Sequence, residues 1–202
     1  MSQPDHSPAA ERNKRPIFNT LCQVLPTAGN ALEIASGTGQ HVAWFAAALP
    51  HWTWQPTDAR PAALASIAAW AGQQGLHNVR PPCQLDVMSP DWLPKAARFD
   101  LILCTNMLHI APWATCAALM RGSALHLAGG GCLITYGPYL EDGVATSPGN
   151  LLFDESLQAQ NPAWGIRGRE DVEREDSQAG LCLSQSHVLP ANNLLLVWTR
   201  KP

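Results

Sequence analysis

The run Ala31-Leu-Glu-Ile-Ala-Ser-Gly-Thr-Gly-Gln-His41 constrains this chain more than any other stretch, because it reads as a buried strand that breaks into a glycine turn and reopens as a helix. Gly37 and Gly39 lack a Cβ, so the backbone can turn tightly and a ligand can approach it, while the helix behind offers unsatisfied N–H groups. A unit of this kind predicts a nucleotide-like ligand over the turn. Two residues narrow the choice. The dinucleotide fingerprint has a third small residue three positions after its second glycine, and here that position is Val42. Glu33, just ahead of the turn, would repel a pyrophosphate and attract a cation.

Apolar runs of strand length alternate with alanine-rich helical stretches, which predicts a parallel sheet covered by helices on both faces. Strands are expected over 31–35, 52–57, 79–86, 99–105 and 132–136, and helices over 38–49, 60–74 and 113–127. Pro81-Pro82 demotes the first half of the third strand to an irregular or edge position. The triple glycine Gly129–Gly131 reads as the turn into the fifth strand. Leu181–Leu189 and Leu194–Thr199, joined by Pro190-Ala191-Asn192-Asn193, form a hairpin that makes the last strand antiparallel. The expectation is one α/β domain over residues 1–202: a Rossmann-like, mostly parallel seven-stranded sheet with a C-terminal antiparallel hairpin. Residues 137–169 read as a loop-rich insertion placed to cover a substrate. A helix-like stretch is expected from Pro16 to Leu25, and disorder only over the polar start, Met1 to about Ser7.

Apolar residues make up 46% of the chain and charged residues 14%, the balance of an ordinary globule. A net charge of −3 with 13 Lys and Arg gives no broad basic footprint, which argues against a nucleic-acid partner. The six cysteines are scattered singly and no apolar leader precedes them, so reduced thiols and a cytoplasmic location are expected. No run approaches the roughly 18 apolar residues of a membrane span. No His and Cys spacing suggests a metal.

Asp58 ends the second strand about 20 residues beyond the glycine turn, where a carboxylate can accept both hydroxyls of an adenosine ribose. It can equally cap the helix that starts near Arg60. Asp86 and Val87, at the end of the third strand, could meet the adenine; Asp86 could instead satisfy local backbone donors beside Ser89-Pro90. Asn106 and Met107 fall just past the carboxyl end of the fourth strand, where they would lie against a ligand held over the glycine turn, its methionyl part if that ligand is S-adenosylmethionine. His109 is a candidate to orient a substrate or take its proton, or a half-buried loop histidine bonded to backbone. Tyr139 is the other catalytic candidate. Arg12 and Asn13 lie in a charged stretch that reads either as a solvated face or as a clasp on cofactor or on an anionic substrate. Tyr136, Asn150, Phe153, Trp164 and Arg167 could line a substrate pocket under the insertion, although Trp164 could merely anchor its own loop.

The glycine turn, with Glu33 placed to attract the ammonium and sulfonium of S-adenosylmethionine, resembles the first motif of class I S-adenosylmethionine-dependent methyltransferases. Gly37, Thr38 and Gly39 would then cradle the cofactor. The chain as a whole resembles a family of small class I methyltransferase-like proteins, called methyltransferase-like 26 in animals. That resemblance rests on Ser7-Pro-Ala-Ala-Glu-Arg-Asn-Lys-Arg-Pro-Ile17, Leu32–His41, Asn106-Met-Leu-His-Ile110 and Asn150–Asp171. It implies the class I fold with S-adenosylmethionine as cofactor and S-adenosylhomocysteine as product, and it supplies no settled substrate; the expected reaction is direct displacement of the methyl group onto a small-molecule acceptor, in which a dedicated base is optional. Two other readings stay open: a non-catalytic cofactor-binding sensor or scaffold, and an NAD-dependent oxidoreductase, which fits Asp58 but conflicts with Val42, Glu33 and the hairpin.

Overall fold

The computed structural model of the protein describes residues 3–201, and in it the alternating pattern becomes an open twisted sheet. Strands β1 (Gly29–Ile34), β2 (Trp52–Asp58), β3 (Cys83–Gln84), β4 (Phe99–Thr105) and β5 (Leu127–Leu140) run parallel. β7 (Leu181–Leu189) and β8 (Asn193–Arg200) close the sheet, and β8 is antiparallel to both its neighbours. The order is β3-β2-β1-β4-β5-β8-β7, and a short strand β6 (Arg167–Gly168) pairs beside the far end of β5. Strand order therefore reverses between β1 and β4. At such a switch point the connections leave in opposite directions, and the carboxyl ends of the strands frame a crevice for a ligand.

Side-chain alternation along each strand feeds two cores. Leu32, Ile34, Ile102, Cys104, Leu196 and Trp198 pack toward α4 (Ala114–His126) and α6 (Arg169–Ala179). Ala31, Leu101, Leu103, Trp52, Trp54 and Val197 pack toward α1 (Pro8–Val24), α2 (Gln40–Ala48) and α3 (Pro61–Gln73). Helices thus cover both faces, as the buried strands require.

Five stretches differ from their sequence-based expectation. The third strand shrinks to Cys83–Gln84 because Pro81-Pro82 withholds two ladder donors; upstream, Val79 makes only an isolated bridge to Trp54. The triple glycine does not precede β5 but lies inside it, looped out between the pairings Phe99–Leu127 and Leu101–Cys132. α1 starts at Pro8 rather than Pro16, with Ser7 as N-cap, and carries Pro16 in its interior. The insertion is not mainly loop: it holds the helix α5 (Pro148–Gln160), capped by Ser147, and β6. The polar start is tied down from Asp5 onward, where the Asp5 N–H donates to Ser66 Oγ at 2.8 Å; Met1 and Ser2 lie outside the described residues.

α4 and the 85–93 segment meet at Gly122, where a Cβ would fall 2.2 Å from the Trp92 ring. Trp92 stacks on His126 and donates to the Val87 carbonyl, so its ring cannot swing aside without losing both contacts. Gly122→Ala raises helix propensity by about 1 kcal/mol, yet overpacking here costs roughly 1–3 kcal/mol. We expect a net loss in urea denaturation; a gain would show that Trp92 relocates freely.

Candidate functional site

The glycine turn is fastened to the end of β2. Ser36 N–H donates to the Thr57 carbonyl at 2.8 Å, and Gly37 N–H donates to Asp58 Oδ2 at 2.9 Å. Asp58 Oδ1 accepts from the backbone N–H of Arg60 at 2.9 Å and from its side chain, so Asp58 serves both the turn and the approach to α3. Gly37 (φ +59°) and Gly39 (φ +91°) adopt left-handed backbone that glycine accepts without strain. A Cβ on Gly37 would meet nothing closer than 3.9 Å, so there is room in front of that residue. At Gly39 the same position is taken by the Ile67 backbone at 2.6 Å, which seats α2 against α3.

Glu33 is 1% exposed, and among the described residues neither carboxyl oxygen has a partner within hydrogen-bond distance. Burial drives its pKa up to about 8; the Ser36 hydroxyl opposes the shift and the Asp58 charge adds to it. Across the switch point, β4 ends in Thr105 and Asn106, and Asn106 takes a left-handed φ of +56° while its N–H donates to the Tyr136 carbonyl. His41, in the first turn of α2, bonds through Nδ1 to Thr105 Oγ1 at 3.1 Å, and among the described residues its Nε2 has no partner in direct hydrogen-bond geometry, the Ala10 backbone standing nearby. Burial lowers the His41 pKa to about 4, so the ring is neutral at pH 7. Sequence reasoning missed His41, Thr105 and Ser36, although Ser36 and His41 bracket the glycine run.

The N-terminal segment is stitched across the same turn. Ser7 N–H donates to Gln40 Oε1, Trp70 Nε1 to the Asp5 carbonyl, and Ser66, which receives the Asp5 bond, donates to the Thr38 carbonyl at 2.7 Å. Thr38 Oγ1 also contacts Gln40 Oε1. Arg12 and Asn13 sit inside α1, not ahead of it; Arg12 is exposed, and its charge opposes the upward shift that burial imposes on Tyr136, whose pKa reaches about 12.

His109 lies in a 3₁₀ turn, Leu108–Ile110, and is 6% exposed. Its ring meets Phe153 of α5 edge-on at 5.6 Å. Burial and then the Arg167 charge hold its pKa near 4. Met107 packs half-buried on the core beside it.

Several expected site residues have other duties. Tyr139 is not available for proton transfer: its hydroxyl donates to Thr135 Oγ1 at 2.8 Å within the core, and burial pushes it far above the ordinary phenol range. Asp86 is exposed and accepts from Met88 N–H at 2.9 Å, a local turn contact, while Val87 is buried. Asn150 is buried and reaches the Asn192 carbonyl, so it ties α5 to the β7–β8 connection. Trp164 is half-buried, with its N–H on the Asn161 carbonyl.

Arg167 acts as a staple. Its Nε donates to the Leu108 carbonyl at 3.0 Å, its Nη2 to those of Ala111 and Ala163, and Gly165 N–H donates to the His109 carbonyl. Arg167→Ala is expected to cost roughly 2–3 kcal/mol and to speed hydrogen exchange at Gly165. Unchanged exchange there would show that the staple is dispensable. Two open surface clefts, one at Trp113 and Arg174 and one between Asn19 and Val188, lie away from the glycine turn.

The strand order, the antiparallel closing strand and the glycine turn at the switch point define a Rossmann-like methyltransferase fold. Within that class, the chain belongs to the family described as "Protein of unknown function (DUF938)", which matches residues 4–200. The fold is shared with the mitomycin 7-O-methyltransferase MmcR, with TM-score 0.81 and 15% identity over 96% of this chain and 55% of that one. It is also shared with CalO1, a methyltransferase in calicheamicin biosynthesis solved in its SAH-bound form, with TM-score 0.77 and 12% identity over 96% and 54%. An O-methyltransferase family 2 protein from Planctomyces limnophilus, solved with apigenin, gives TM-score 0.74 and 20% identity over 94% and 62%. The chain therefore spans little more than half the length of these proteins.

Proposed function

We propose that the protein is an S-adenosylmethionine-dependent methyltransferase acting on a small molecule. The observation that carries this reading is Glu33, a buried carboxyl group without a counter-charge among the described residues, at the foot of a glycine turn with open space before Gly37. A cationic adenosyl ligand fits both features: Glu33 gains a counter-charge, and the turn backbone allows close approach. Asp58 would hold the ribose through Oδ2, which keeps a lone pair beyond the Gly37 bond it accepts, and through Oδ1 once the exposed Arg60 side chain gives way. Asn106 and Met107 would bound the methionyl end, Thr38 and Gly39 the turn, and Asp86 with Val87 the adenine side.

S-adenosylmethionine, when bound, supplies an activated methyl group. This chain's part is to bind, orient and exclude water. His109 and Phe153 would form one wall for the acceptor, with Trp164 and Asn150 on the insertion, Arg12 and Asn13 on α1, and Tyr136 between them. The solved structure with apigenin supports an acceptor of small-molecule size. The kinship with methyltransferase-like 26 stands on the motifs given above. A cytoplasmic location is supported by six unpaired thiols, and among the described residues no helix is long and apolar enough to cross a membrane.

A cofactor-binding module without catalysis is the second reading. It is favoured by the enclosure of Tyr139 in the core and the low basicity of His109. The antiparallel β8 weighs against the dehydrogenase alternative.

Calorimetric titration with S-adenosylhomocysteine and with NAD tests the cofactor; binding of the first alone is expected, and binding of neither would end the proposal. Incubation with methyl-labelled S-adenosylmethionine and a metabolite extract then separates the two readings, since labelled product requires catalysis.

A further inference from the structure

Glu33 carries an inference that rests on the cofactor reading but goes past it. The carboxyl group lies on β1 between β2 and β4, where Pro56 and Leu103 are its ladder neighbours. Among the described residues it forms no ion pair, and its one polar neighbour is the uncharged Ser36 hydroxyl, which stands outside direct hydrogen-bond geometry and opposes the upward shift only in part. The surrounding elements offer no cation to it. On β2 stands Asp58, already bonded to Gly37 and Arg60. On β4 stand Cys104, a thiol that burial keeps neutral, and Asp100, which bonds Asn30 at the opposite end of the strand. His41 on α2 is neutral. On α1, Lys14 pairs with Glu11 and lies over Trp44, and Arg12 and Arg15 are exposed.

An ionised carboxylate in such surroundings has neither solvent nor counter-charge. We propose that Glu33 holds a proton in the free protein and releases it to solvent when the cationic adenosyl donor binds, so that donor binding is linked to loss of one proton. The step balances: Glu33–COOH and the donor cation give the carboxylate–cation pair and one hydronium ion in bulk water. Between pH 6 and 7 the affinity for donor then rises close to tenfold, because each proton displaced weighs one power of hydrogen-ion concentration.

The test is calorimetry of the full chain with S-adenosylmethionine at pH 7 in phosphate and in Tris, buffers of very different ionisation enthalpy. The expected result is an observed enthalpy that differs between buffers by about one proton per ligand, with an association constant that climbs from pH 6 and levels above pH 8. The α-amino group of the ligand also titrates in this range, so Glu33→Gln is the decisive control. In that variant the proton release should vanish, leaving only the ligand amino group's own proton exchange, and the rise in affinity between pH 6 and 7 should be lost. Normal binding by the native protein with no buffer dependence, or proton release that persists in Glu33→Gln, would overturn the proposal and leave the cofactor reading standing. Absence of binding at every pH would overturn both.

If the variant does not fold, urea unfolding of the native protein replaces it. A carboxyl whose pKa is raised in the folded state contributes stability at low pH that is lost as pH rises toward its folded value. Below pH 6.5 the buried His41 and His109, whose values are lowered, act in the opposite sense. The diagnostic window is therefore pH 7–8, where stability should fall in the free protein and stop falling under saturating S-adenosylmethionine. A flat free-protein profile across that window would sink the idea.

Discussion

Gly39→Ala is expected to lower stability by roughly 2–5 kcal/mol and to abolish cofactor binding. Two costs add. The residue sits at φ +91°, a conformation that strains any side chain, and its Cβ would stand 2.6 Å from the Ile67 Cα. Ile67 is fully buried in α3, so the obstacle is backbone within a packed helix and not the tip of a flexible side chain. α2 and α3 must part, or the turn that presents Gly37 must tilt. Urea denaturation measures the first outcome and calorimetry with S-adenosylhomocysteine the second. A loss below about 1 kcal/mol would mean that α3 yields cheaply.

Asp58→Ala should cost about 2–4 kcal/mol in stability and at least about tenfold in affinity for S-adenosylhomocysteine. The carboxylate is 3% exposed and accepts two backbone N–H groups, from Gly37 and Arg60, that would be left unsatisfied. Asp58→Asn keeps an acceptor for one of them and should retain about half of the stability. If the alanine variant loses stability yet binds with native affinity, Asp58 shapes the turn without touching the ribose.

The central strands were legible because they are buried on both faces, which leaves little but an apolar run bounded by turns: β4 begins and ends where expected, at Phe99 and Thr105. The helices that escaped notice share the opposite property. α6 buries only Val172 and Asp176, so it has no apolar stripe to find, although Gly180 at φ +81° marks its end. α5 buries only Asn150 and Leu157 and was masked by its Pro-Gly start. In α1 the signal at Ser7-Pro8 was present, and Pro16 distracted from it.

At the candidate site, the residues on the local glycine motif come together because their spacing is fixed by one turn. Glu33, Gly37 and Asp58 share an edge, and Asn106 follows β4 at the adjoining position. Contacts that depend on the path of long connections could not be read. Tyr139 looked like a loop residue until β5 proved to run on to Leu140, which turns its ring into the core. Arg167 looked like a ligand contact, and its geometry shows a brace on the His109 turn. His41 was legible only as a histidine without metal-ligand spacing, because its partner, Thr105, is 64 residues away.

The stitching of Asp5 and Ser7 to Ser66, Trp70 and Gln40 ties the front of the chain to both helices that flank the glycine turn. A protease nick before Pro8 would sever the clasp, strip the Trp70 indole of its acceptor and loosen the Thr38 carbonyl's hold on α3. Clipping there is therefore expected to lower the resistance of the protein to urea, because the turn loses its outer brace.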